Sequence, residues 1–273
     1  MTSTKHLLVA VLTLCSTTAM AQTNDMGIFD HMSAGIEIGS TGWGIDLGAP
    51  IGNYVQVRAG VSSIPEITFS TDVDLNITDK QRSAYQQYIG SVLGLNNIDI
   101  EGKASMVNGK LLVDVYPFRK SSFHITAGAY VGTSKVLKVK NTSGINELKL
   151  INYFNQYGAQ SFGIGKIGAE VGDYLLTPTE NGVIDAYAKM ASFKPYVGIG
   201  FGRAVQTKNR IGVSCDLGLM FWNEPELYCN SGDGYFRLND DTNVSGKDGG
   251  AIKTISKLTV YPVLNVRLCY RLF

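Results

Sequence analysis

Beyond Gln22 the chain is a succession of segments in which apolar and polar residues alternate with period two, and none is apolar enough for a membrane-crossing helix. Successive side chains of a strand point to opposite faces, so this alternation dictates β structure with two chemically different faces. Eight segments carry it: Met32 to Gly39, Trp43 to Pro50, Asn53 to Ser70, Ile98 to Pro117, Ser122 to Lys140, Ile184 to Ala204, Arg210 to Cys229 and Thr254 to Leu272. The first two could be one strand. Their apolar residues, however, fall on even positions early (Met32, Ala34, Ile36, Ile38) and on odd positions later (Trp43, Ile45, Leu47, Ala49). The parity switch at Gly39-Ser40-Thr41-Gly42 marks a tight turn or a bulge, and a turn gives an even strand count with both chain ends on one side.

Sorting the strands by parity separates charge from hydrocarbon. One face holds Ile36, Ile38, Ile45, Leu47, Val57, Val61, Leu111, Val113, Val115, Ile125, Val131, Val197, Ile199, Leu217, Leu219, Leu264, Val266 and Leu268. The other holds Glu37, Asp46, Arg58, Asp114, His124, Lys194, Asp216, Arg267 and Arg271. A soluble sandwich would bury the apolar face; a membrane barrel turns the same pattern inside out. Two features favour the barrel. Apart from the first tight turn, short and long connections alternate, the long ones near 71–97, 141–183 and 230–253. Aromatic residues gather near strand ends, as interfacial girdles do: Trp43, Tyr54, Tyr116, Phe118, Phe123, Phe193, Tyr196, Phe221, Trp222, Tyr228, Tyr261 and Tyr270. The expectation is an all-β, antiparallel, eight-stranded transmembrane barrel with long, partly helical extracellular loops. Eight strands leave an interior about wide enough for side chains, so the near-balanced lumen charges read as a salt-bridged plug. The alternative is a narrow polar path for a small zwitterionic or charged solute.

The N-terminus reads as an export signal. Lys5 and His6 precede the apolar Leu7 to Leu14 and the small-x-small site Ala19-Met20-Ala21. Residues 1–21 are expected to be cleaved, 22–31 to lead in, and 32–273 to form the barrel. The remaining Cys215, Cys229 and Cys269 are odd in number and lack metal-type spacing, so neither a disulfide framework nor a zinc site is indicated. A net charge of +1 offers no field for nucleic acid.

Within the long loops, Thr78-Asp79-Lys80-Gln81 has the pattern of a capping box opening a helix, with Tyr85, Tyr88, Ile89, Val92 and Leu93 on one face. Residues 144–158 carry a weaker helical pattern, each helix being expected to pack on its own loop unless it serves as a lid or binds a partner. Gly163 to Gly168 matches G-x-G-x-x-G with Asp185 beyond it, but no strand feeds it, and a Gly-rich loop is the simpler reading. Asp240, Asp241, Asn243 and Asp248 fit no EF-hand spacing and read as a solvated loop. His124 lacks a nucleophile and acid placed for lipid chemistry, so no catalysis and no cofactor are expected.

Lys194 onward, KPYVGIGFGRAV, then IGVSCDLGLMFW, then YPVLNVRLCYRLF, with LLVDVYPF and FHITAGAYVG at 111–132, resembles a family of small Gram-negative outer-membrane barrels. That family, grouped loosely with the OmpW and CarO types, shows PYLGLGWG-like, FSFDLGVMF-like and YPV...LSYRF strands. This chain departs from it at Asn223-Glu224-Pro225-Glu226, where the family has a GSPK-like turn. The resemblance implies an outer-membrane protein described variously as a small porin or a surface antigen. It also makes Leu268, Tyr270, Leu272 and Phe273 an assembly signal for the barrel-insertion machinery, although Phe273 lies one residue out of phase with the alternation. The expectation is a non-enzymatic, monomeric protein in outer-membrane lipid, structural or a narrow porin, with a surface-interaction module acting through its loops as the alternative.

Overall fold

The structure is a computed structural model that describes residues 26–119, 121–171, 174–230, 234–238 and 259–273. The expected signal segment, the acidic cluster at 240–248 and the start of the last expected strand lie outside these residues.

Eight strands close into an antiparallel ring. They are β1 (Ser33–Gly39), β2 (Gly42–Pro50), β3 (Val55–Asn76), β4 (Asn97–Val115), β5 (Phe123–Gly132), β10 (Phe193–Phe201), β11 (Ile211–Phe221) and β14 (Val260–Arg271), hydrogen-bonded in that order with β14 returning to β1. Closure leaves no unpaired edge in the barrel wall, which a lipid environment requires. Gly39 pairs with Gly42 across a two-residue turn, so the parity switch is a hairpin, and Gly42 takes φ 86°, which suits glycine. The apolar face points outward: Ile36, Ile45, Leu47, Val61, Leu111, Ile125, Val197, Ile199, Leu217, Leu264 and Leu268 are all exposed. The charges point in. The fold is a transmembrane β-barrel.

Above this ring the chain builds a second body. Three expected long strands each divide in two. β6 (Lys135–Asn141) continues β5, β9 (Asp185–Lys189) leads into β10, and β12 (Glu226–Asn230) continues β11. Backbone bonds from Gly132 to Ser192, Met190 to Ser134 and Ala191 to Trp222 carry the ladder across the breaks. At the same level β3 is bulged between Ile64 and Ile67, and it then runs to Asn76, six residues beyond the expected Ser70, because β4 accompanies it as far as Asn97. β7 (Gly168–Val171), β8 (Tyr174–Leu176) and β13 (Tyr235–Arg237) extend the sheet at its two ends.

The capping box forms as expected. In α1 (Asp79–Ile89) the Gln81 amide N–H donates to Thr78 Oγ1 while the Thr78 N–H donates to Gln81 Oε1 at 2.8 Å. Gly90, at φ 80°, ends the helix, so the expected face is too long: Leu93 is buried from the following loop, but Val92 is 70% exposed. α2 (Ile145–Tyr153) passes into a π-helical turn at Phe154–Gly158 and a 3₁₀ turn at Ala159–Phe162. The helices do not pack only on their own loops. Tyr85 of α1, Leu148 and Ile151 of α2 and Phe154 share one apolar core with Ile98 and Ile100 of β4, Ala169 of β7 and Cys229 of β12. The two helical loops thus share one core and fold together as a cap at one end of the barrel.

Candidate functional site

The lumen side chains come from facing strands and form two ion-pair clusters. In the first, Arg58 on β3 reaches across to β4 and β11. Its Nη2 donates to Asp114 Oδ1 at 2.8 Å, and Nη1 and Nη2 donate to the two oxygens of Asp216 at 3.0 Å. Thr126 donates to Asp114 at 2.7 Å, and His124 Nε2 lies 2.9 Å from Asp216 Oδ1. In the second cluster, Lys110 bridges Glu37 at 2.5 Å and Asp46 at 2.9 Å, while Arg267 bonds Asp46 through Nε at 2.7 Å and the backbone carbonyl of Ala204 through Nη1 at 3.0 Å. Buried charges persist only when paired and hydrogen-bonded, and each cluster supplies that.

Seven of the nine expected lumen residues thus come together. Lys194 is buried but stands apart, donating to Asn108 Oδ1 at 2.8 Å and to the Thr133 carbonyl at 3.0 Å. Arg271 lies at the rim, where it holds the carbonyls of Gln206 and Thr207 at 2.9 and 2.8 Å. The expected set omits Lys110, although it shares even parity with Asp114.

The glycines explain how an eight-stranded bore holds such large groups. A Cβ on Gly35 would overlap the Arg267 guanidinium, and one on Gly200 would overlap the His124 ring. Inward glycine makes room opposite the charge it faces.

Among the described residues, side chains fill the lumen at both ends. Toward the cap, Met106, Tyr130, Tyr196, Met220, Trp222 and Val263 form an apolar layer. Toward the chain termini, the turn after β10 folds inward instead of forming the simple expected link. Val205 is fully buried, exchanging bonds with the Gln56 side chain at 2.9 and 3.2 Å, and the Arg203 guanidinium lies 4.6 Å from the Tyr116 ring. Tyr116, Tyr196 and Trp222 are therefore lumen fillers and correct the expected girdle. Trp43, Tyr54, Phe118, Phe193, Phe221 and Tyr270 do face outward.

Asp114, His124 and Asp216 place ligand atoms within 4.8 Å of one another, a spacing a metal ion could use. Arg58 already engages both carboxylates, so the set is occupied by a guanidinium and does not fit a metal ion. The His124 ring nitrogens are taken up by Asp216 and the Ser122 carbonyl, so His124 is not free to act as a base.

The cap carries a cavity of about 780 Å³ lined by Asn152, Asn155, Gln156, Gln160, Gly165 and Lys166. Beside it, Tyr88, Tyr153, Tyr157 and Phe162 form an exposed aromatic cluster, with centroids from 5.0 to 6.5 Å apart along the chain of contacts. Of the G-x-G-x-x-G run, Gly163 ends the 3₁₀ turn and Gly168 opens β7. Asp185 on β9 accepts from Tyr235, and no βαβ unit surrounds the glycines.

A closed ring with an apolar exterior, a paired charged interior and a folded cap defines a barrel of the outer-membrane type. Among solved structures the chain is similar to CarO2 of Acinetobacter baumannii, at 15% identity and TM-score 0.44 over 91% of this chain and 100% of that one. It is also similar to CarO of Acinetobacter baumannii, at 16% identity and TM-score 0.42 over 87% and 96%, and to a major outer membrane protein of Thermus thermophilus, at 12% identity and TM-score 0.33 over 88% and 98%. Neither a protein-family model nor a curated protein matches the chain.

Proposed function

We propose that this protein is a monomeric, non-enzymatic outer-membrane barrel closed to solutes, which anchors the cap at the cell surface, where the cap binds a partner. The observation that carries this reading is the sealed lumen. Asp114, Lys194 and Arg267 are 0% exposed, and Asp114 and Arg267 lie between the apolar layer on the cap side and the buried Val205 turn on the other. A porin needs a continuous wet path past these groups; a plug needs their pairing. The exposed aromatic cluster and the amide-lined cavity supply the binding face. Export by residues 1–21 and insertion by the barrel-assembly machinery belong to the same reading.

Single-channel recording on the refolded protein in planar bilayers tests it. The expected trace shows no steps for small ions or amino acids; regular conductance steps would overturn the plug in favour of a narrow porin. Surface-partner capture is expected to be lost on replacing Tyr153 and Tyr157 with Ser, and unchanged capture would sink the interaction reading. For assembly, Leu268 and Tyr270 face outward on β14, and Leu272 and Phe273, both exposed, follow its last residue Arg271. Tyr270→Asp is expected to lower surface levels more than deletion of Phe273, and equal levels would count against the signal.

A further inference from the structure

Just above the apolar band, the outer face of the cap sheet carries an unusual row. Thr68, Lys103, Lys138, Tyr187, Tyr228 and Arg237 lie directly opposite one another across six neighbouring strands. One row lower, Lys135 faces Lys189, which faces Glu226 of β12 on its other side. Two lysine pairs, Lys103 with Lys138 and Lys135 with Lys189, thus stand directly cross-strand. Like charges so placed repel, with Cβ atoms about 5 Å apart, so an anion between them relieves a cost that the sheet otherwise carries. Lys103 is partly neutralised by Glu66 at 3.2 Å and Glu101 at 3.4 Å, and Arg237 by Glu226 at 3.2 Å. Lys135, Lys138 and Lys189 make no ion pair among the described residues. Between them the Tyr187 and Tyr228 rings stack at 5.1 Å, with Lys135 Nζ 4.1 Å from the Tyr187 centroid.

The height of this patch is set by the strands. Lys103 lies four residues beyond Val107, the last exposed apolar residue of β4, and across the strand breaks Lys135 and Lys189 lie four residues along the chain from Val131 of β5 and Phe193 of β10. Four strand residues span about 13 Å along the chain, roughly 10 Å of height at barrel tilt. That is the level of lipid headgroups, and lysine side chains can lean toward it.

We propose that the outer face of β4, β6, β9 and β12 binds the phosphorylated headgroup of an outer-leaflet glycolipid, its phosphates seated among Lys135, Lys138 and Lys189 beside the stacked tyrosines. The inference rests on the apolar band being membrane-embedded. Charge complementarity selects phosphate; continuity with the lipid-facing band selects a lipid as its source.

The test uses the full refolded chain in neutral detergent micelles, with a bisphosphorylated diglucosamine glycolipid as probe. The same lipid stripped of phosphate, and glucosamine phosphate without acyl chains, serve as further arms. The acylated phosphorylated probe is expected to bind tightest, and binding should weaken with salt. Each lysine removed should weaken it on the order of fivefold, so the triple variant Lys135→Gln, Lys138→Gln, Lys189→Gln falls by roughly a hundredfold, while Lys80→Gln on α1 has no effect. Equal binding of the dephosphorylated lipid, or wild-type affinity in the triple variant, would overturn the proposal. Equally tight binding of the soluble phosphosugar would overturn the lipid source. Insertion into phosphatidylcholine vesicles and conductance are read separately, so a protein that inserts without conducting yet ignores the phosphate sinks this inference alone.

Discussion

The barrel and the cap are two solutions of the same alternation, and β4 passes through both without a break. In its cap half Ile98 and Ile100 point inward while Asp99, Glu101 and Lys103 point out; in its barrel half Asn108, Lys110 and Asp114 point inward while Val107, Leu111 and Val113 point out. The strand keeps its phase, yet the polarity of its faces reverses between Ser105 and Val107. What changes there is the surroundings, from water to hydrocarbon. The reversal along this one strand is what a water-to-hydrocarbon boundary predicts, and the bulge in β3 and the breaks beside β5, β10 and β11 fall at the same level.

The contrast is tested most severely inside the barrel. Arg58→Met leaves Asp114 and Asp216 buried without their guanidinium, and is expected to cost about 3–5 kcal/mol in urea unfolding from vesicles. Adding Asp114→Asn and Asp216→Asn should recover part of that loss, and a silent Arg58→Met would break the claim that the interior depends on pairing. In the cap the damaging change is apolar. Phe154→Ala is expected to cost about 3–5 kcal/mol, visible as faster proteolysis of the cap while the barrel still migrates as a folded band. A lysine scan along outward β4 positions sharpens the boundary: Leu111→Lys should cost about 2–4 kcal/mol and Ser105→Lys about 0–1. A flat profile would displace the boundary.

The smallest expected effect is alkaline. Burial pushes the Cys229 thiol from near 9 up to about 12, and the hydrogen bond to Asp185 pushes Tyr235 from 10.0 up to about 12. Both groups fold in their neutral forms. Their contribution is complete below about 9 and declines as the pH rises toward about 12, so the cap should loosen in that window before the barrel does. Maleimide labelling of Cys229 at stepped pH reads it; early labelling near pH 8 would contradict the sealed core.

Much of the barrel is legible in the sequence because parity is a local property. Glu37, Arg58, Asp216 and Arg267 can be placed inside from their neighbours alone. Which cation meets which carboxylate is not legible, since Arg58 and Asp216 approach across 158 positions of sequence. Lys110 is masked by the apolar residues that follow it, and Tyr116 and Tyr196 read as rim residues from their place along the strand, against their parity. The shared cap core is hidden for a related reason: each helix shows one apolar stripe, but the stripe does not say that its partner lies on another loop.

The inward glycines also constrain how such a lumen can change over time. Gly35 and Arg267 lie on adjacent strands and occupy one space between them, as do Gly200 and His124. A side chain gained on one strand requires one lost on its neighbour, so these positions are expected to be exchanged in couples, while the lipid-facing residues drift singly among Val, Ile and Leu.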